Sequence, residues 1–241
     1  MAGPILLLWL ASPAIAWWMS QPIAPRHEIR LSAAQIRFLG SIARKTWAFF
    51  DTFVGPDDHW LPPDNHQAVR AEALAHRTPP TNMGLALLAN LSAYDFGYVP
   101  AGQLLERTAR TLGTMATLER HRGHFFNWYD TRSLQPVYVS TVDSGNLAGH
   151  LLTLRPGLIE LPDQPILAPR WMHGLMDTLV VLEDAAGTPA PAALSRFQDN
   201  LDTALKAPPA TLLRAWRAAP RYSPRSSGAS LTARRSAGHR R

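Results

Sequence analysis

The chain of 241 residues contains no cysteine, so it has no disulfide framework and no thiolate zinc or redox site. That suits a reducing compartment without requiring one. Charge is scarce too: charged residues are 17% of the sequence and apolar ones 46%, enough for a packed core and too little charge for a disordered chain. Acids are missing altogether from Arg214 onward, where eight arginines stand. Taking those eight from the 24 Lys and Arg leaves 16 basic against 18 acidic residues, a net of −2 for the body. The pI near 10.3 therefore belongs to the tail. A DNA-binding body is disfavoured, because phosphate contacts need their cations on the folded surface.

Residues 1–19 lack charge entirely and hold three Trp. Such a run is expected as a membrane helix over residues 1–20, with Trp17 and Trp18 marking an interface and Pro4 and Pro13 weakening it. Its rival, a signal peptide cut after Ala14-Ile15-Ala16, lacks the Lys or Arg that should come first. Arg26, Arg30 and Arg37 follow the run, which places the rest in the cytoplasm by the positive-inside rule. Residues 21–31, with Pro22 and Pro25, read as a linker.

Ser32 and Gln35 then form a capping-box pattern with Leu31 as staple. Ile36, Leu39, Ala43, Trp47 and Phe50 share one face of a helix running to about Asp51. Val54 to Thr81 reads as a long loop. Its Asp57, Asp58, His59, Asp64, His66 and His76 suggest a metal site, but no ligand spacing supports one, and metal is not expected. Thr81 is expected to cap a helix through Leu85, Leu88 and Leu91 to Tyr94. A second helix runs from Ala101 to about Arg120 with Leu105, Thr108, Leu112, Met115 and Leu118 on one stripe. The two make a helical hairpin. Beyond it, Asp143 or Ser144 caps a helix that Pro156 breaks. Further helices are expected over about Leu167–Ala186, with Trp171, Leu175, Leu179 and Leu182 facing in, over Pro191–Leu205, and over Ala210–Ala218.

Between hairpin and next helix lies Gly123 to Asn146, GHFFNWYDTRSLQPVYVSTVDSGN, which has no helical period. Flat rings beside amides and carboxylates suit a polyhydroxylated ligand, since rings stack on sugar C–H faces while polar groups bind hydroxyls. The same aromatics would equally plug a helical core. Tyr138 to Val142 reads as briefly extended.

Three stretches, ARKTWAFFDTFVGPDDHWLPPDNHQ (43–67), AHRTPPTNMGLALLANLSAYDFGYV (75–99) and RHRGHFFNWYDTRSLQPVYVSTVDSGNLAGHL (120–151), together resemble bacterial cyclic β-1,2-glucan synthases. The resemblance covers about residues 1–213. It implies a piece of a large enzyme: the last membrane helix of the glycosyltransferase module, then the N-terminal part of a glycoamylase-like cyclisation domain over 32–213. The implied fold is all-α, a partial (α/α) barrel of helical hairpins preceded by one membrane helix. The implied activity is glucosyl transfer from UDP-glucose at the bacterial inner membrane, with transglycosylation closing the ring. UDP-glucose and a divalent metal would serve the transferase module, so no cofactor is expected here. The implied partners are β-1,2-glucan, membrane lipid and the remainder of the synthase, with no nucleic acid.

On that resemblance His76, Arg77, Asn127, Trp128, Tyr129, Asp130, Asp143 and Asn146 would line glucan subsites. Arg77 could instead be the structural partner of an aspartate. Retaining transfer needs two carboxyls about 5–5.5 Å apart. Asp130, Asp143 and Asp64 are the candidates, each equally suited to capping a turn or helix, and the family's catalytic carboxylates are expected beyond this stretch. A second reading is a non-catalytic, membrane-tethered glucan-binding helical module. The tail, residues 214–241, is either a disordered basic tail or the out-of-frame translation of a GC-rich message.

Overall fold

The computed structural model describes residues 3–21, 30–67, 69, 74–136, 141–166, 168–187 and 191–207. The chain divides into two units, Met1–Ile36 and Arg37–Arg241.

In the first unit, helix α1 (Gly3–Met19) is uncharged and exposed throughout. Pro13 lies inside it, which removes the bond to the carbonyl of Trp9. The hydroxyl of Ser12 replaces that bond, donating to Trp9 O at 2.7 Å. The described residues do not support the expected membrane span. The 17 residues of α1 rise about 26 Å, short of a hydrocarbon core of about 30 Å. Among the described residues no helix is long and apolar enough to cross a membrane. The capping box forms as read, with Gln35 N on Ser32 Oγ at 3.2 Å and Ser32 N on Gln35 Oε1 at 2.8 Å. It opens α2 (Ala33–Phe53). The staple buries little, because Leu31 and Ile36 stay 46% and 57% exposed.

The second unit is mostly helical: α3 (Pro80–Asp95), α4 (Ala101–Thr117), α5 (Thr141–Glu160), α6 (Arg170–Ala186) and α7 (Ala192–Lys206). Four two-residue strands interrupt them: β1 (Arg77–Thr78), β2 (Arg120–His121), β3 (His124–Phe125) and β4 (Tyr129–Asp130). They form two antiparallel pairs, β1 with β4 and β2 with β3. Inside the expected loop, Pro56–Asp58 makes a turn of 3₁₀ helix. Residues 137–140, the segment 210–218 and the basic tail lie outside the described residues.

Helix α3 packs on both α4 and α5. A Cβ on Gly84 would meet the His150 ring at 2.3 Å, and one on Gly157 would meet the Leu91 side chain at 2.5 Å. Both residue numbers rise together, 84 with 150 and 91 with 157, so α3 and α5 run in parallel at close approach. The main core lies along this pair, built from Leu61, Met83, Leu87, Met115, Tyr129, Leu147 and Leu154 among others. A second cluster joins Trp47 of α2 to Ala93, Val99 and Leu104.

Several expectations are corrected. Thr81 does not cap α3: Pro79 holds the cap position and Pro80 the first turn, where a missing N–H costs nothing. Pro156 does not break α5. The carbonyl it orphans belongs to Leu152, 75% exposed, where water can serve it. The buried face of α3 is Met83, Gly84, Ala86, Leu87, Asn90 and Ala93, while Leu85 is 44% exposed. In α4 the inward face is Leu104, Arg107, Thr108, Thr111 and Met115; of the expected stripe Thr108, Met115 and, just past the helix end, Leu118 are buried, while Leu105 and Leu112 are exposed. Polar partners complete that face. Buried Arg107 donates to the carbonyls of Phe50 and Val54 at 2.8 and 3.3 Å and to Asn90 Oδ1 at 3.3 Å.

Candidate functional site

The ladder β1–β4 pairs Arg77 with Asp130 and Thr78 with Tyr129. Directly opposed residues of an antiparallel pair share a face. Thr78 and Tyr129 are fully buried at 0% exposure, which turns Arg77 and Asp130 outward. The ladder runs straight into the N-terminal end of α3, and α5, being parallel, starts at the same end.

The outward face is a compact polar and aromatic group. The Arg77 guanidinium lies 4.9 Å from the centre of the Trp128 ring and 3.3 Å from Asp64 Oδ2. Arg77 is thus the partner of an aspartate, one of its two readings, and lies against the Trp128 ring as well. Asp130 is committed to its own turn. Its Oδ1 accepts from the backbone N–H groups of Arg132 and Ser133 at 3.0 and 2.7 Å. The Ser133 N–H leads the contacts that hold this carboxyl below the usual carboxylate range, an ill-suited state for an acid.

Tyr129 is a correction. Its ring is a core residue, and its hydroxyl donates to Glu119 O at 2.6 Å and accepts from Phe126 N at 2.8 Å. Burial pushes its phenol up. Phe125 joins the same core, and Asn127 is 8% exposed. The aromatic stretch therefore splits, plugging the core with Phe125 and Tyr129 while presenting Trp128.

Thr81, in the first turn of α3, connects the two remaining candidates. Its Oγ1 donates to Asp143 Oδ1 at 2.6 Å and accepts from Asn146 Nδ2 at 3.1 Å. Asp143 sits in the first turn of α5 rather than ahead of it, where the helix N-terminus favours a carboxylate.

Behind the ladder, Asp58 is a hub that the sequence did not single out as such. Its Oδ1 accepts from His76 Nδ1 at 2.7 Å and from Thr131 Oγ1. Arg132 Nη2 donates to His76 Nε2 at 2.8 Å, so these contacts are satisfied by a ring protonated on Nδ1. No spacing rule links Asp58, His76 and Thr131; the available signal was the density of Asp and His in the loop. Among the described residues no group of three or more His, Cys, Asp or Glu is placed to hold a metal ion.

No family model matches the chain. It is 40% identical over 186 residues to the cyclic beta-(1,2)-glucan synthase NdvB of Rhizobium meliloti, a match covering 76% of this chain and 7% of that protein. The chain thus spans a small part of its relative's length. Among solved structures, a glucoamylase-like protein from Bacteroides fragilis aligns at 15% identity and a TM-score of 0.39, over 75% of this chain and 37% of the other.

Proposed function

This chain is a relative of cyclic β-(1,2)-glucan synthase over three quarters of its length, and from that premise we propose that its helical unit is a glucan-contacting part of such an enzyme. The ligand on this reading is β-1,2-glucan, and the contact surface is the outward face of β1–β4 with the adjoining starts of α3 and α5. The observation that carries it is the Trp128 ring held against Arg77, which pairs with Asp64 and stands opposite Asp130 on the short ladder. A ring with donors and acceptors around it is the minimal saccharide platform.

The parallel α3 and α5, bridged by an α4 that packs back on α3, are consistent with a portion of an (α/α) barrel. The role assigned is binding. Asp130 and Asp143 each spend an oxygen on a neighbour, so neither is assigned the chemistry, and nucleotide-sugar and metal steps fall outside these residues.

Calorimetric titration of the purified chain with linear β-1,2-glucan tests this. Saturable binding is expected, weakened about tenfold or more, about 1.4 kcal/mol, by Trp128→Ala. Cyclic glucan is not expected from the chain and UDP-glucose alone. Binding that Trp128→Ala and Arg77→Ala both leave untouched would overturn the placement.

A further inference from the structure

We propose that a cavity behind the ladder, walled by the Pro56–Asp58 turn, Trp60, His76 and Arg132, is a second binding site that takes a neutral polyol of hexose size. Its volume is about 520 Å³, within the range of small-molecule sites.

Charge decides the ligand class. The wall carries three carboxylates, Asp51, Asp57 and Asp58, against two guanidiniums, Arg107 and Arg132. Arg107 is already taken by two carbonyls, Asn90 and Asp51. Asp58 is occupied by His76 and Thr131. An anion would thus meet a surplus of negative charge. What faces the cavity is an exposed acceptor, Asp57, an exposed donor, Arg132, whose fork has N–H groups beyond the one on His76, and the Trp60 indole, flanked by the Arg107 and Arg110 guanidiniums at 5.8 and 5.7 Å. Those are the partners of hydroxyl groups and a C–H face.

The backbone supplies an independent observation. His59 and Trp60 are consecutive non-glycine residues in the left-handed region, at φ 53° and 62°. Such a conformation is costly and persists only where its surroundings impose it, a situation concentrated at functional sites. Here α4 imposes it. Thr114 Oγ1 donates to His59 O at 2.6 Å, and Thr111 Oγ1 donates to Trp60 O at 2.9 Å. The His59 ring adds a contact to Thr131 O at 2.9 Å. Two side chains of α4 and the His59 ring's own bond to the Thr131 carbonyl therefore pin the His59–Trp60 backbone at the cavity wall.

The test is NMR titration of the full chain with D-glucose and, separately, with inorganic phosphate, following the Trp60 indole N–H as identified by its loss in Trp60→Phe. D-glucose should move that resonance saturably. Arg132→Gln and Asp57→Asn should each weaken the effect about tenfold or more. Both side chains are at the surface, and an unchanged sugar-free spectrum verifies the fold of each variant. Trp128→Ala should leave the response intact, which separates this site from the ladder. No saturable shift, a response to phosphate instead, or a response lost in Trp128→Ala but kept in Arg132→Gln would each overturn the inference.

Discussion

The two ends of the parallel pair α3 and α5 solve opposite problems. At their starts the charged and polar groups sit near water and bond to one another: Thr81 to Asp143 and Asn146, and Arg77 to Asp64 and Trp128. At the far end the groups are half-buried and bond across to other helices. Tyr98 donates to Asp177 Oδ2 at 2.9 Å and lies 3.1 Å from the Gly40 carbonyl, and Arg170 stacks 4.4 Å from the Tyr94 ring. A pair at the surface such as Arg77 with Asp64 contributes little, about 0.2–1 kcal/mol, and can be exchanged for a ligand's. Bonds at the far end cost far more to leave unmade. The far end is a lock between helices, and the starting end is a surface.

Packing should show this contrast most strongly. Gly97 has φ 77°, and a Cβ there would meet the Arg170 carbonyl at 2.1 Å. Gly97→Ala combines overpacking of about 1–3 kcal/mol with a left-handed penalty of about 1–2 kcal/mol. A loss of about 2–5 kcal/mol in urea unfolding is expected. Gly145, in the first turns of α5, has open space around its Cβ position. Gly145→Ala should stabilise by about 0.5–1 kcal/mol. The same substitution thus has opposite signs at the two ends. Equal effects would remove the distinction.

Neighbouring residues sharpen it next. Tyr129→Phe deletes the hydroxyl shared by Glu119 O and Phe126 N, leaving both short of a partner at about 1–3 kcal/mol. Arg77→Ala, on the outward face, should cost under about 1 kcal/mol in stability and show its effect in glucan binding. A stable Tyr129→Phe with lost binding would reverse the assignment of the two faces.

These contrasts also mark what was legible. The Ser32–Gln35 box could be read because its chemistry is local. The alternation of helices could be read from period and punctuation. The inward face of α4 was legible only at Thr108 and Met115, because a search for apolar stripes passes over Arg107 and Thr111, whose burial depends on carbonyls of Phe50, Val54 and Trp60. Candidate residues Arg77 and Asp130 were named together, but the ladder that pairs them joins segments far apart in the chain. Asp58 and Thr81 were legible only as a loop acid and a helix cap. Their actual partners, Thr131 and Asp143, are set by the tertiary fold.

The smallest expected effect is in pH dependence, and its sign separates the two ends. Burial raises the Asp177 carboxyl above 3.8, whereas backbone N–H groups lower Asp130 beneath 3.8. A raised carboxyl holds its proton longer in the folded chain. Its contribution is complete below the unfolded value and is lost as pH rises through the folded one. A lowered carboxyl does the reverse, contributing fully above the unfolded value and losing that contribution as pH falls through the folded one. Asparagine keeps hydrogen-bonding capacity at both positions while abolishing titration. Unfolding midpoints compared across the acid range should therefore diverge in opposite senses. The advantage of the parent over Asp177→Asn should shrink as pH rises above 3.8, and its advantage over Asp130→Asn should shrink as pH falls below that value. If both differences move in the same direction, the far-end carboxyl is not held in a desolvated lock, and the contrast between the ends fails on electrostatic grounds.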